Sequence, residues 1–246
     1  MIKNEENILV EIIPVLKDNY IFLVVNQETR EAVVVDPAVA PPVLDYINEH
    51  QLTLTHILNT HHHRDHVGGN LALKEATGAV IVGYINDAHR IDGAQMLVED
   101  EQQIELLGLT IKVMAVPGHT LGHVVYYIPE KRWLFCGDTV FAMGCGYLFE
   151  GTYQQMYSSI QLIKTLPDET LIFCAHEYTL TNGLFALQEY SDNLQIKKRV
   201  DKIKKDRNVG KITIPTTIGA EKLTNPFFLA RNCEEFTRLR QAKDVF

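Results

Sequence analysis

The chain is predicted to be an α/β protein with a helical C-terminal region, on three observations. Through residue 178, short apolar runs rich in β-branched residues alternate with stretches of helical spacing. Several runs are apolar almost without interruption, the pattern of strands covered on both faces by helices. After Tyr178 the strand signal fades, helical spacing takes over and the charge changes sign: residues 1–178 hold 10 Lys+Arg and 23 Asp+Glu, whereas 179–246 hold 13 and 8. A chain of 246 residues, 46% hydrophobic and 22% charged, can bury a substantial core without disulfides or repeats. The composition shift places a domain boundary between 1–178 and 179–246.

The strands are expected at 8–14, 20–25, 32–36, 54–59, 79–83, 111–116, 124–128, 133–136 and 171–174. Between them 41–50, 70–77 and 154–166 read as helices, the last with Met156, Ile160 and Ile163 at helical spacing. In the C-terminal part Leu180, Leu184, Leu187 and Leu194 suggest one apolar stripe, followed by a basic helix over 195–207. Asn208, Val209 and Gly210 end that helix. Pro215 and Pro226 then punctuate an extended loop before a last helix near 233–242.

Composition excludes several function classes. A net charge of -8 argues against nucleic-acid binding by bulk electrostatics. No apolar run reaches the roughly 18 residues of a membrane span, and MIKNEENILVEI is acidic where a secretory signal is basic and then apolar. The expectation is a soluble, cytoplasmic protein with neither nucleic-acid nor membrane partner. Cys136, Cys145, Cys174 and Cys233 show no CxxC spacing and read as reduced, mostly buried thiols without a role.

The strongest local signal is Asn59-Thr60-His61-His62-His63-Arg64-Asp65-His66, directly after an apolar run. With 10 histidines in the chain, a six-residue window should hold about 0.24; this one holds four. Its internal position and the interruption by Arg64 and Asp65 exclude a purification tag. On extended backbone His61 and His63 point the same way and His62 the other, while Asp65 and His66 can turn toward a neighbouring point. Two adjacent metal positions follow, of a chemistry that suits zinc, iron or manganese. More donors stand at other strand ends: His119 in Pro117-Gly118-His119-Thr120-Leu121-Gly122-His123, Asp138 in Cys136-Gly137-Asp138-Thr139, and His176 in Cys174-Ala175-His176-Glu177-Tyr178. Ligands brought from separate strands are how α/β folds build active sites.

In order and content these motifs resemble the metallo-β-lactamase superfamily, and within it glyoxalase II, the hydroxyacylglutathione hydrolases. The resemblance implies an αββα sandwich, two sheets packed between helices, with a catalytic domain over 1–178 and a helical substrate-binding domain over 179–246. It implies two divalent metal ions, zinc first with iron or manganese as alternatives: His61, His63 and His119 at one, Asp65, His66 and His176 at the other, and Asp138 bridging. His123 matches a family histidine that is not a ligand. The implied reaction cleaves S-D-lactoylglutathione to glutathione and D-lactate, the second step of methylglyoxal detoxification, by a monomeric enzyme in which Asp65 orients the metal-bound hydroxide.

The same resemblance assigns Tyr178, Arg240 and Lys243 to glutathione, the last two in an R-x-x-K-D-x-F ending. In Gly144-Cys145-Gly146-Tyr147-Leu148-Phe149 the family usually carries Lys or Arg where Tyr147 stands, and some members carry Tyr at Phe149. A weaker or differently oriented carrier site is therefore expected around Tyr147 and Phe149. Lys197, Lys198, Arg199, Lys202, Lys204 and Lys205 read as a solvated face.

Four other readings weigh less. A mononuclear-iron persulfide dioxygenase could use His61, His119 and Asp138, but the R-x-x-K-D ending favours the hydrolase. A β-lactamase is disfavoured by Asp138 at the bridging position, and phosphodiester hydrolysis by the net charge. A structural metal module would be expected to use cysteine.

Overall fold

A computed structural model describes residues 7–246; the first six residues of the acidic N-terminal reading lie outside them. Two units divide the described chain. The first runs to Ala115 and includes Gly122–Glu130; the second comprises Val116–Leu121 and Lys131–Phe246. The charge boundary after Tyr178 falls inside the second.

In the first unit, β1 (Ile8–Val15), β2 (Asn19–Asn26), β3 (Glu31–Val35), β4 (Thr53–Leu58), β5 (Val80–Tyr84) and β6 (Met96–Val98) form one mixed sheet in chain order. β1, β2 and β3 are antiparallel, and β3 through β6 are parallel. Parallel neighbours need crossover connections. Helix α1 (Pro41–Glu49) supplies one, and α2 (Arg64–Val67) with α3 (Asn70–Thr77) supplies the next. Proline in the first turn favours the start of α1, and Gly78 at φ 75° ends α3. Ile21, Leu23, Val34, Val43, Ile57, Leu73 and Ile81 form the core between sheet and helices. The strands β7 (Gln103–Leu106), β8 (Leu109–Ala115) and β9 (Val124–Ile128) make an antiparallel meander. Its first turn places Leu107 and Gly108 both at positive φ, as a two-residue hairpin requires.

The second unit pairs β10 (Trp133–Gly137) in parallel with β13 (Leu171–Cys174), and β14 (Thr216–Thr217) antiparallel to β13. A small hairpin, β11 (Val140–Phe141) and β12 (Gly144–Cys145), follows β10. Helix α4 (Tyr153–Lys164) makes the crossover to β13; it starts on a Thr152–Gln155 capping box and buries Met156, Ile160 and Ile163 as its spacing predicts. The rest is helical: α5 (Thr179–Glu189), α6 (Leu194–Asn208), α7 (Ile218–Thr224), α8 (Pro226–Leu229) and α9 (Cys233–Asp244).

Three sequence expectations need correction. The leucine stripe does not form, because α5 ends before Leu194, which is exposed, and Leu184 is itself exposed. The buried face of α5 is Thr179, Asn182, Gly183, Phe185 and Ala186 instead. Gly183 allows α6 to approach, since a Cβ there would lie 3.0 Å from the Val200 side chain. The supposed loop around Pro215 and Pro226 contains β14, α7 and α8; the side chains of Thr217 and Asn225 cap the two short helices, which carry too few residues to show a period. Arg199 does not belong to a solvated face. Its guanidinium pairs with the fully buried Glu221 at 2.6 Å and donates to the Thr216 hydroxyl at 2.8 Å. Glu221 also accepts from the Met143 amide at 2.7 Å and from Asn225 at 2.9 Å, tying α6 and α7 to the β11–β12 turn.

Candidate metal centre

In the first unit the donors follow from how β4 ends. After Leu58 the chain stays irregular until α2 opens with His63 as its N-cap, so His61 and His63 precede the helix and Asp65 and His66 lie within it. The His61 ring centroid is 4.6 Å from that of His63 and 4.1 Å from that of His66, and Asp65 Oδ2 is 3.7 Å from His66 Nε2. Two glycines make this possible. A Cβ on Gly68 would sit 2.5 Å from the Ala38 carbonyl oxygen and one on Gly69 2.7 Å from that of Pro37, so α2 and α3 can press onto the loop after β3 only without side chains there.

That loop carries Asp36, a buried carboxylate which the motif reading overlooked. It accepts from the Thr60 amide at 2.8 Å, from the Thr60 hydroxyl at 2.6 Å and from His66 Nδ1 at 3.0 Å. The proton of His66 is thereby held on Nδ1 and the lone pair left on Nε2, the carboxylate–histidine orientation usual at metal sites. Asn19 steadies Asp65 by donating to its side chain at 3.1 Å and its carbonyl at 3.3 Å. His62 turns to Asp87, with Nδ1 and Oδ2 3.0 Å apart, and Arg90 donates to the same carboxylate at 2.6 Å. His123 is fully buried and stacks on His61 at 4.6 Å.

In the second unit His119, Asp138 and His176 come from three separate connections and meet. Gly137, at φ 47°, closes β10 and turns Asp138 out of the strand. The Asp138 carboxylate then divides its oxygens: Oδ2 is 3.4 Å from His119 Nε2 and Oδ1 is 3.4 Å from His176 Nε2. His119 Nδ1 donates to the Tyr147 carbonyl at 2.7 Å, which leaves the lone pair on Nε2, facing the carboxylate. Two acceptors set against each other in this way suit a shared cation, so the donor set fits a divalent metal. Gly146 keeps the hairpin close, because any Cβ there would collide with the Asp138 carbonyl. Glu177 anchors the loop after β13 through the Thr213 amide at 2.9 Å and hydroxyl at 2.6 Å.

A cavity of about 350 Å³ in the same unit is lined by Phe141, Cys145, Tyr147, Tyr178, Asn182, Arg240 and Lys243 among others. Four of the five expected carrier residues therefore share one concavity. Phe149 does not line it; its ring stands edge-on to His119 at 5.2 Å. Tyr178 stacks on His176 at 4.8 Å with parallel rings. Arg240, 5% exposed, donates to the Cys145 carbonyl at 2.9 Å and to Asp244 at 2.9 Å. Burial and then the neighbouring Arg240 charge lower the Lys243 pKa from the ordinary lysine value. Cys145 is among the buried thiols, and burial pushes its pKa up to about 11. Asp36 could have been noticed, since like Asp138 it follows an apolar strand; Asp87 and Glu221 carried no local signal.

Comparison with known proteins places these features in context. The profile described as Metallo-beta-lactamase superfamily matches residues 16–176, and that described as Hydroxyacylglutathione hydrolase C-terminus matches 177–246. The chain is 42% identical over 248 residues to a hydroxyacylglutathione hydrolase of Methylococcus capsulatus, covering 95% of this chain and 97% of that protein. It is 49% identical over 225 residues to one from Synechococcus sp., covering 89% and 87%. Among solved structures, ETHE1 from Myxococcus xanthus superposes with a TM-score of 0.74 at 29% identity, covering 95% of this chain and 90% of that one. Among the described residues no helix is long and apolar enough to cross a membrane.

Proposed function

This chain belongs to the metallo-beta-lactamase superfamily and, within it, to the hydroxyacylglutathione hydrolases, and on that footing we propose that it hydrolyses S-2-hydroxyacylglutathione thioesters, S-D-lactoylglutathione among them, to glutathione and a 2-hydroxy acid. The observation that carries the reading is the Asp138 carboxylate set between His119 and His176, one oxygen to each. The ligand assignment is His61, His63 and His119 for one metal and Asp65, His66 and His176 for the other, with Asp138 shared. We assign zinc to both positions, which three-imidazole and mixed imidazole–carboxylate sets accommodate.

Bound divalent ions would supply hydroxide at neutral pH and a Lewis acid for the thioester carbonyl. The protein's own part is orientation. Asp36 holds His66 in the tautomer that ligates through Nε2, and the Tyr147 carbonyl does the same for His119. Asn19 fixes the rotamer of Asp65, whose carboxylate orients the attacking water. The departing thiolate is a good leaving group, so no strong general acid is needed, and the chain places none of its cysteines as a nucleophile.

Residues 179–246 contribute the carrier side. Arg240 and Lys243 give the cavity the positive charge that the carboxylates of glutathione require, and Tyr178 lines the same cavity and stacks on His176. Arg240→Ala is expected to raise KM by roughly 10–100-fold while lowering kcat much less, because it removes a charge-assisted contact remote from the reacting carbon. Steady-state kinetics on lactoylglutathione measure this, and an equal loss in kcat and kcat/KM would contradict it.

Lys243 makes the same site sensitive to pH. Its ammonium is the binding form, and its lowered pKa means that the charge is lost earlier as pH rises than on an exposed lysine. KM should therefore climb in the alkaline range, and Lys243→Arg should flatten the climb, because guanidinium stays charged. A pH–KM profile identical in both proteins would remove Lys243 from the site. Metal analysis coupled to lactoylglutathione hydrolysis tests the whole proposal. Two metals per chain with thioester turnover supports it; oxygen consumption on glutathione persulfide without thioester turnover would replace it.

A further inference from the structure

Three consecutive histidines pose a choice that residue type does not settle. On extended backbone neighbouring side chains alternate, so one arrangement of the loop turns His61 and His63 toward a common point, and the opposite arrangement turns His62 there alone. The chain is fixed on either side: Asp36 accepts from the amide and hydroxyl of Thr60, and α2 begins at Arg64. Between these points the loop runs against residues 122–124. The Thr60 carbonyl accepts from the Val124 amide at 2.9 Å, and the His61 ring stacks on that of His123 at 4.6 Å. The third contact in this antiparallel order is made through Asp87. His62 Nδ1 donates to Asp87 Oδ2 at 3.0 Å, and Asp87 packs on Gly122, where a Cβ would lie 2.4 Å from the carboxylate carbon.

Asp87 is itself held from several directions. It is fully buried, its amide donates to the Tyr84 carbonyl at 2.9 Å, and its carbonyl accepts from the Arg90 amide at 2.9 Å. Arg90 Nε donates to Oδ1 at 2.6 Å, so the guanidinium binds one oxygen and His62 the other. Given the function proposed above, in which His61 and His63 ligate and His62 does not, we infer that Asp87 is a positioning residue: by holding His62 away it selects the arrangement of the loop that presents His61 and His63. A hydrogen bond to a charged group shifts such a two-way equilibrium about tenfold or more. Without Asp87, His62 is a third imidazole adjoining two ligands and competes with them for the metal.

The test uses cobalt(II)-loaded protein, whose visible absorption reports the ligands, together with kcat for lactoylglutathione at saturating metal. Asp87→Ala should change the cobalt spectrum and lower kcat about tenfold. Asp87→Asn keeps a partner for Nδ1 whichever way its amide faces and should do much less. The deciding protein combines Asp87→Ala with His62→Gln. Removing the competing imidazole should return the spectrum to that of the wild type and recover most of the lost kcat, whereas a merely structural Asp87 leaves the double variant at least as impaired as the single one. If Asp87→Ala does not fold, Asp87→Ser, which keeps a hydroxyl near Arg90 but is too short to reach His62, carries the same comparison. A wild-type spectrum in the single variant, or a double variant no better than it, overturns the inference. If the wild type takes up cobalt without hydrolysing the thioester, the proposed reaction fails and the spectra still decide the role of Asp87; a wild type that takes up no cobalt overturns both.

Discussion

Asp138→Ala should lower kcat/KM on the order of 10³-fold, equivalent to about 4 kcal/mol of lost transition-state stabilisation. The carboxylate is 7% exposed and turns one oxygen to His119 and the other to His176, so under the proposed assignment its removal takes a negative charge from both metal positions at once. Metal content should fall with activity. Asp65→Ala makes the informative contrast: the proposed assignment gives Asp65 to one position only, and that variant should keep about one metal per chain while losing turnover. Elemental analysis beside lactoylglutathione kinetics measures both quantities. Near-normal turnover with two metals in Asp138→Ala would remove the bridging role.

Arg199→Ala is expected to lower unfolding free energy by about 3–5 kcal/mol, because it strands the Glu221 carboxylate, fully buried, without its cation. For a chain of this size that corresponds to a fall in Tm of roughly 10 °C. Replacing both partners, as Arg199→Met with Glu221→Gln, should recover much of the loss, since the cost lies in an uncompensated buried charge and not in the absence of the pair. The effect reaches the site through the hairpin: Glu221 accepts from the Met143 amide, in the turn between β11 and β12, and from Asn225, which donates to the Gly144 carbonyl, and that hairpin leads into Gly146 and Tyr147 beside His119. Urea unfolding of the wild type, Arg199→Met, Glu221→Gln and the double variant gives the coupling energy, with Arg199→Ala measured beside them. A loss of under about 1 kcal/mol in Arg199→Ala would mean that water reaches Glu221 when the arginine leaves.

Most of the strands and the α4 face were legible because their apolar period is long enough to read. What failed did so where packing overruled spacing. On α5 a glycine and two polar residues, Gly183, Thr179 and Asn182, are buried, because α6 needs close approach and because Asn182 finds the Ala142 carbonyl at 3.3 Å. A hydrophobic stripe drawn through leucines cannot anticipate a buried amide. Arg199 was misplaced for the same reason, since its partner stands 22 positions away with nothing local to announce it.

Residue type and local spacing alone single out candidate donors, His61, His63, Asp65, His66, His119, Asp138 and His176, because metal affinity resides in imidazole and carboxylate, and strand ends are where irregular backbone can present them. The folded chain decides the rest: that Asp36 takes Nδ1 of His66, that the Tyr147 carbonyl takes Nδ1 of His119, and that Asp138 shares its oxygens between two imidazoles. Which nitrogen of a histidine carries the proton is set by a hydrogen bond, and here those bonds join residues 28 to 30 positions apart. No window of sequence contains both ends of such a bond, so ligand identity is a local property of this chain and ligand orientation a tertiary one.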